Sequence, residues 1–466
     1  MSEIYVSKLE RTTRLDSEFY SKFFLEIEEK LKKLDFEKIS ELTKVSDGNH
    51  AKISDYFSDE GVPYYRGGDI YNFFIEHAKA QSLKIPLNVY QWENMKRSHL
   101  KKGDVLMSIV GAIIGNLSLV NNDERATCSC KLAILRPKTG KIDSNYLAIY
   151  LKSKFGQSQV QRLRRGSGQT GFILEDFEQL FVALPSDKLV DKVNELVTNS
   201  YDSLNQSNKT YQQAEELLLE ELGLRDFQPS EQGVNIKSLK DSFLSTGRLD
   251  AEYYQPKYDE IIQHISRKSH DKLANIVDIK KSIEPGSEAY QETGIPFYRV
   301  SNLTKMGLTK PDIHLDELFF DETIKPKKDS ILLSKDGTVG IAYKLIEDLD
   351  GITSGALLHL TIKTDKNSEV LADYLTLVLN SRIVQLQAQR DAGGSIIQHW
   401  KPSEIAEVII PLIDKDKQIV ISDLIQQSFT LKAKSEQLLE NAKTLVEMAI
   451  EQGEEKALTN FELGLA

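Results

Sequence analysis

Apolar and polar positions follow several rhythms along the chain. After Asp16 the stretch SEFYSKFFLEIEEKLKKL carries apolar residues at helical spacing, with Asp16 placed as N-cap; Asp250 takes that place later in the chain. VLMSIVGAIIG (Val105 to Gly115) and SILLSKDGTVGIAYKL (Ser330 to Leu345) are short apolar runs cut by glycine, which predicts strands joined by tight turns. SNYLAIYLKSKFGQSQVQRLRR, starting at Ser144, predicts a helix. FVALP and VIIP are strand-like runs closed by proline. Together these patterns predict a mixed α+β domain.

Two longer periodic segments stand apart. From about Asp187 to Leu224, Val190, Val197, Leu204, Tyr211 and Leu218 recur every seven residues; from about Lys415 to Gln452, Leu424, Leu431, Leu438 and Leu445 do the same. Such spacing makes a narrow apolar seam for another helix. Ser200, Ser207 and Ala214 also sit seven apart, as do Ser428, Ser435 and Ala442. Small residues on a seam let two backbones approach closely. Fully helical, the first segment would span roughly 57 Å at 1.5 Å per residue, too long for a mere loop.

The patterns occur twice. RLDSEFY (Arg14 to Tyr20) returns as RLDAEYY (Arg248 to Tyr254), and GVPYYRGGDI (Gly61 to Ile70) as GIPFYRVSNL (Gly294 to Leu303). LKKGDVLMSIVGAIIGNLSLV returns as IKPKKDSILLSKDGTVGIAYKL, and SNYLAIYLKS as ADYLTLVLNS. RRGSGQTGFILEDFEQLFVALP (Arg164 to Pro185) matches RDAGGSIIQHWKPSEIAEVIIP (Arg390 to Pro411), 226 residues on. Five blocks in one order mean a duplicated domain. The segments that diverge most, Tyr71 to His99 and Thr304 to Thr323, suit one scaffold reading two different short sequences. The predicted fold class is α+β: two tandem mixed α/β domains separated by long paired helices. The boundaries are 1–186 for the first domain, 187–224 for the first helix, 225–412 for the second domain, 413–455 for the second helix and 456–466 for a tail.

Composition narrows the function. The 466 residues, 40% hydrophobic and 28% charged, suit a soluble protein of two or three domains. No apolar run reaches the length of a membrane span, the start lacks a signal-peptide core, and the two cysteines, Cys128 and Cys130, suit a reducing cytoplasm. Both cysteines read as strand residues, and no histidine spacing supplies a metal partner set. The net charge of −11 argues against a nucleic-acid binder only on average, because a docking surface is local.

Reacting groups are missing. There is no GxxxxGK[ST], HExxH or GxSxG, and no Asn/Asp-Pro-Pro-aromatic tetrapeptide of amino-methyltransferases. GSGQTG (Gly166 to Gly171) follows a helix, not a strand, so a dinucleotide reading fails. Basic residues cluster instead. Lys96, Arg97, Lys101 and Lys102 lie within seven residues; Arg162, Arg164 and Arg165 lead into the Gly-rich loop with Gln169. In the second copy Lys325, Lys327 and Lys328 cluster, and Arg390, Gln398, His399 and Lys401 flank a glycine pair. One such cluster is ordinarily a solvated face; recurrence beside equivalent loops points to phosphate clamping by Lys and Arg, with Gln169, Gln398 and His399 as base readers.

On these motifs the chain resembles the specificity subunit of type I restriction-modification systems over nearly its whole length. The resemblance rests on the RLDxEYY openings, VPYYRGGDI and IPFYRVSNL, KKGDVLMS, GSGQTGFI, the LP and IP run ends and the long helices. Where family members often carry Pro-Pro followed by Glu-Gln, this chain has LPSDKLVDKV and IPLIDKDKQI. The resemblance implies two target recognition domains related by pseudo-two-fold symmetry and separated by long antiparallel paired helices, each domain reading half of a split duplex DNA site, with the helices fixing the gap. It implies two modification (methyltransferase) subunits and restriction/motor subunits as partners, and no membrane. It implies no catalysis and no cofactor on this chain, with S-adenosylmethionine, ATP and Mg²⁺ on the partners. The rivals are an S-like subunit of a combined restriction-and-modification enzyme, a nuclease or methyltransferase acting alone, and a helix-mediated scaffold that binds no DNA.

Overall fold

The computed structural model describes residues 16–75, 83–166, 171–319, 324–394 and 397–464. The chain forms two compact units. Unit 1 runs up to Leu204 and resumes at Ala433; unit 2 is Asn205–Lys432. The division therefore falls inside both long helices.

In unit 1, α1 (Lys22–Leu31) is followed by β1 (Phe36–Lys38), β2 (Thr43–Asp47), β3 (Val62–Tyr65), β4 (Leu83–Ile85), β5 (Val105–Ser108), β6 (Leu117–Leu119), β7 (Thr127–Cys128) and β8 (Leu132–Pro137). Then come α2 (Ser144–Lys152), α3 (Lys154–Leu163), β9 (Phe181–Ala183) and the long helix α4 (Asp187–Leu222). Among the described residues, one antiparallel sheet has the order β2-β8-β5-β6, a second β4-β3-β7, with β1 and β9 paired apart. Alternation assigns the faces of the central strands. Val105, Met107, Ala133 and Leu135 enter one core with the buried side of α2; Leu106, Leu132 and Ile134 enter another with Tyr65 and Cys128 of the second sheet. A strand covered on both faces reads as a continuous apolar run, as VLMS does.

Unit 2 repeats the plan with α5 (Pro256–Ile265), β10 (His270–Lys272), β11 (Val277–Lys281), β12 (Tyr290–Gln291), β13 (Ile295–Tyr298), β14 (Leu303–Thr304), β15 (Gly307–Leu308), β16 (His314–Leu315), β17 (Ile331–Ser334), β18 (Ala342–Lys344), β19 (Ile352–Thr353) and β20 (Leu357–Ile362). They lead to α6 (Ala372–Asn380), α7 (Arg382–Asp391), β21 (Ile409–Pro411), the long helix α8 (Lys415–Gln452) and α9 (Glu454–Glu462), whose chain has by then re-entered unit 1. The order β11-β20-β17-β18 reproduces β2-β8-β5-β6. Parallel β13–β19 reproduces β3–β7, and β10–β21 reproduces β1–β9. Within the two diverging segments β4 beside β3 matches β16 beside β13, and among the described residues unit 1 adds a 3₁₀ turn at Glu93–Ser98 while unit 2 adds the hairpin β14–β15.

Several local readings are corrected. The first helix begins at Lys22, not after Asp16; Asp16 Oδ2 instead accepts from Phe19 N (3.3 Å) in a turn. In unit 2 the helix starts at Pro256, whose fixed φ suits the first helical position, and Asp250 pairs with Arg248 (2.6 Å). The helix predicted from Ser144 breaks at Ser153. Its hydroxyl caps α3 at Gly156 N (3.4 Å), and a Cβ at Gly156 would lie 2.5 Å from Tyr150 O. Cys128 ends β7, but Cys130 lies in the following turn.

The blocks that match at 226 residues in sequence match at 228 in structure. Gln159 Nε2 donates to Phe181 O (2.9 Å) while its Oε1 accepts from Phe181 N (2.8 Å). Gln387 makes the same amide pair with Ile409 (3.0 and 2.8 Å). Arg390 therefore corresponds to Arg162, not to Arg164.

The long helices pack antiparallel within each unit, in register through their small residues. In unit 1, Ser200 Oγ donates to Ser435 O (2.9 Å), the two hydroxyls 2.8 Å apart. In unit 2, Ser207 Oγ donates to Ser428 O and Ser428 Oγ to Ser207 O, both at 2.8 Å. All four serines are buried, as are Ala214 and Ala442 in the cores of units 2 and 1. The leucine row of α8 is displaced sideways: Leu445 is buried, while Leu424, Leu431 and Leu438 are half-buried. A polar joint ties each recognition region to its helix. Asn145 Nδ2 donates to Asn194 Oδ1 (2.7 Å) in unit 1. In unit 2, Asp373 accepts from Ser422 Oγ (2.8 Å), Gln426 Nε2 (2.9 Å) and Lys344 Nζ (2.9 Å).

Candidate nucleic-acid interface

The predicted site residues occupy three distinct environments. Arg162 and Arg390 form the first, and neither offers a free surface charge. The Arg162 side chain is only 9% exposed; it lies over the Phe19 ring (4.2 Å), donates through Nε to Phe19 O (2.9 Å) and bonds Glu28. Burial opposes ionisation of Glu28, but hydrogen bonds from Lys32 and Arg162 outweigh it and hold the carboxyl below its usual range. Arg390 likewise lies over Tyr253 (5.4 Å) and pairs with Asp391 (2.7 Å). These two arginines clamp the aromatic residue of each opening motif onto its helix, which explains why the motif recurs. They are structural cations, not members of an exposed surface.

The second environment is the leading end of the central strand in each unit. Lys101 is exposed just before β5. Lys325 and Lys327 precede β17, facing Asp350 (3.8 Å) and Asp348 (3.3 Å). The Asp348 carboxyl is held below its usual range by hydrogen bonds from the Lys328 backbone and Lys327.

The third environment is the trailing end of the same strands, where the loops meet. In unit 1 the turn after β5 is bridged to the Gly-rich loop: Phe172 N donates to Ile109 O (2.9 Å), and Gly171 and Arg165 exchange backbone bonds (2.9 and 3.1 Å). The turn Arg66–Asp69 packs on it, since a Cβ at Gly67 would lie 3.1 Å from Ile113 Cδ1. Arg97 reaches the same level, bonded to Asp47, which registers through Ala133 with Met107 of β5. Lys96 pairs with Glu93 (2.5 Å) on the same 3₁₀ turn as Arg97. Arg164 bonds Gln161 (2.8 Å), and Arg165 bonds the buried Asp176. Gln169 lies outside the described residues.

Unit 2 has the same loop frame. Trp400 N donates to Lys335 O (2.8 Å), Gly337 N to Gln398 O (2.9 Å), and Gly393 and His399 exchange backbone bonds (3.1 and 2.7 Å). Gln398, His399 and Lys401 are exposed; His399 Nδ1 lies 2.8 Å from Asp336 Oδ1, and Lys401 pairs with Glu404 (3.2 Å). The structure thus brings together Arg97, Arg164 and Arg165 at one end of one strand, and Gln398 and His399 at the matching end of the other. It sets Lys101, Lys325 and Lys327 apart.

Sequence reasoning missed Arg66, Lys335 and Asp336, all beside this trailing end. Arg66 stood in a quoted motif and is half exposed. Lys335 and Asp336 were visible as two charges at the turn of SILLSKDG, where the first copy has Ile109 and Val110.

Many of these cations already hold an acid. Exposed ion pairs are worth about 0–1 kcal/mol, so a phosphate can take the place of the carboxylate at little cost. Among the described residues no group of three or more His, Cys, Asp or Glu could hold a metal ion. Among the described residues no helix is long and apolar enough to cross a membrane. Cys128 is buried, which pushes its thiol pKa up and leaves it unreactive.

Two mixed α/β units, each with loops gathered at one strand end and a long helix behind, define a recognition protein built by duplication. The family profile described as "Type I restriction modification DNA specificity domain" matches residues 31–218 and 270–441, and the chain belongs to that family. It is 30% identical over 102 residues to the EcoBI specificity subunit of a type I restriction enzyme from Escherichia coli. That match covers 22% of this chain and 21% of the relative, so the aligned part spans about a fifth of the curated protein. Solved structures similar to the chain include the S subunit of a type I restriction-modification system from M. genitalium, at 14% identity, TM-score 0.36, covering 92% of this chain and 96% of that one. Another is the HsdS subunit from Thermoanaerobacter tengcongensis, at 14% identity, TM-score 0.30, covering 90% and 97%.

Proposed function

We propose that the chain is the DNA-reading subunit of a cytoplasmic type I restriction-modification complex. Each unit reads one half of a bipartite duplex site with the loops at the trailing end of its central strand. The paired helices set the gap and dock two modification subunits; restriction/motor subunits complete the assembly. S-adenosylmethionine, ATP and Mg²⁺ belong to those partners, and this chain performs no chemistry.

The observation that carries this reading is the loop frame built twice with matching backbone hydrogen bonds and different side chains. A duplicated catalyst would keep its reacting groups; a duplicated reader keeps its frame and changes its contacts. Arg97, Arg164, Arg165 and Lys96 serve unit 1, with Gln169; Gln398, His399 and Lys401 serve unit 2. Lys and Arg hold phosphates, and Gln169, Gln398 and His399 read base edges. Lys101, Lys325 and Lys327 contact phosphate farther along the duplex. The net charge of −11 fits a chain whose remaining surface is covered by partners.

The test is binding of the full chain, co-purified with its modification subunits, to a library of random duplexes at several salt concentrations. Enrichment of two short motifs at a fixed gap is expected. Arg164→Ala should lower the salt slope by about one unit without changing the motifs. Binding with no enriched motif would overturn the reading.

A further inference from the structure

The two units share a loop frame so closely that one serves as a control for the other. Phe172 N to Ile109 O in unit 1 becomes Trp400 N to Lys335 O in unit 2. The Val110–Gly171 bridge becomes Asp336–His399, and Arg165–Gly171 becomes Gly393–His399. Gly115 and Gly340 turn the chain at φ +90° and +83°, each against a glutamine, Gln157 of α3 and Gln385 of α7. On this common frame three side chains change character: Ile109 gives way to Lys335, Val110 to Asp336 and Gly171 to His399.

The replacements interlock. One oxygen of Asp336 takes the Lys335 ammonium; the other lies 2.8 Å from His399 Nδ1. The Lys335 stem is buried and the His399 side chain 63% exposed, so the trio runs from the sheet end out to solvent. Among the described residues the side-chain hydrogen bond of His399 is the one at Nδ1, and Nε2 makes none. Merely pinning the loop does not explain the trio, because unit 1 holds the same backbone bonds with a glycine in the place of His399.

Resting on the function proposed above, we infer that His399 is a base-reading side chain of unit 2 and that Asp336, anchored by Lys335, is its positioning residue. Asp336 can only accept, so Nδ1 carries the proton, and in that tautomer the ring's lone pair lies on Nε2. An acceptor at that edge matches the exposed amino groups of the major groove, adenine N6 or cytosine N4, and is mismatched to guanine O6 and thymine O4. Unit 1, with glycine here, makes no such demand. His399 thus restricts one base, on the strand it faces in the half-site read by unit 2, to adenine or cytosine.

The experiment compares wild type, Asp336→Asn and His399→Ala, each as the full chain co-purified with its modification subunits, by selection from random duplexes at one salt concentration. His399→Ala should relax discrimination on the order of tenfold at a single position of one half-site. The gap and the other half-site should be unchanged, which shows that the variant is folded. Asp336→Asn should shift that same position toward guanine or thymine, because an asparagine amide can donate to Nδ1 and place the proton on Nε2. A uniform loss of affinity across all sequences, or loss of the entire second half-site, would overturn the inference by assigning the trio to phosphate contact or to scaffold. If wild type selects no motif at all, the failure lies with the broader reading instead.

Discussion

The joint between the second recognition region and its helix can be tested by removing one carboxylate. Asp373 and Lys344 are both buried, their side chains 6% and 11% exposed, with Nζ 2.8 Å from one carboxylate oxygen and 2.9 Å from the other. Asp373 also accepts from Ser422 and Gln426 of α8. Its replacement by alanine leaves an ammonium with only Asp329, 3.7 Å away and mostly exposed, and leaves two helix donors without their acceptor. Breaking a buried pair from one side costs about 3–5 kcal/mol. For a unit of this size that corresponds to a fall of roughly 6–20 °C in melting temperature. Differential scanning calorimetry should show the transition of unit 2 shifted and that of unit 1 in place. The double variant Asp373→Leu with Lys344→Met should lose much less, since apolar residues of similar volume often replace a buried pair at no net cost. A shift of Asp373→Ala below about 1 kcal/mol, or a double variant less stable than the single one, would refute this account of the joint.

Three further outcomes follow from the structure. His359 is buried against Thr353 Oγ1 (2.6 Å), and burial, helped by Lys280, lowers its pKa to about 4 from 6.5. The unfolded chain therefore binds a proton that the folded one refuses. Stability is full above about pH 6.5 and falls by about 3 kcal/mol as pH drops toward 4, and His359→Gln should flatten that part of a denaturant-midpoint profile. Ser207→Leu should destabilise unit 2 by about 1–3 kcal/mol or more through overpacking, against about 1 kcal/mol for Ser207→Ala, both read by urea unfolding. Arg162→Ala should lower the melting temperature of unit 1 while leaving the salt slope of DNA binding unchanged, the reverse of Arg164→Ala.

The duplication, the mixed fold class and the long helices were legible because each leaves a periodic or repeated trace in sequence. Details set by three-dimensional register were not. A register of 226 aligned Arg164 with Arg390, and it takes the amide clamps of Gln159 and Gln387 and the loop bridges at Gly171 and His399 to show that 228 is correct. The serine spacing marked where the backbones meet, but the leucine heptads also pointed to Leu424, Leu431 and Leu438, which lie beside that line, because a helix packed on its unit's core as well as on another helix needs two apolar stripes. Charge alone could not separate Arg162, folded over Phe19, from Arg164 two residues on. Nor could it place Lys101 and Arg164 at opposite ends of one strand.

The serine pairs have a consequence for fidelity of assembly. Sliding one strut along the other by a single heptad would keep one serine pair, now Ser207 with Ser435, but would set Ser200 opposite Ala442 and Ser428 opposite Ala214, stranding two hydroxyls that now have partners. Greasy stripes alone tolerate such slippage almost equally at every step. These hydroxyls act as a vernier with one matching mark, and sacrifice some cohesion to make the alignment unique.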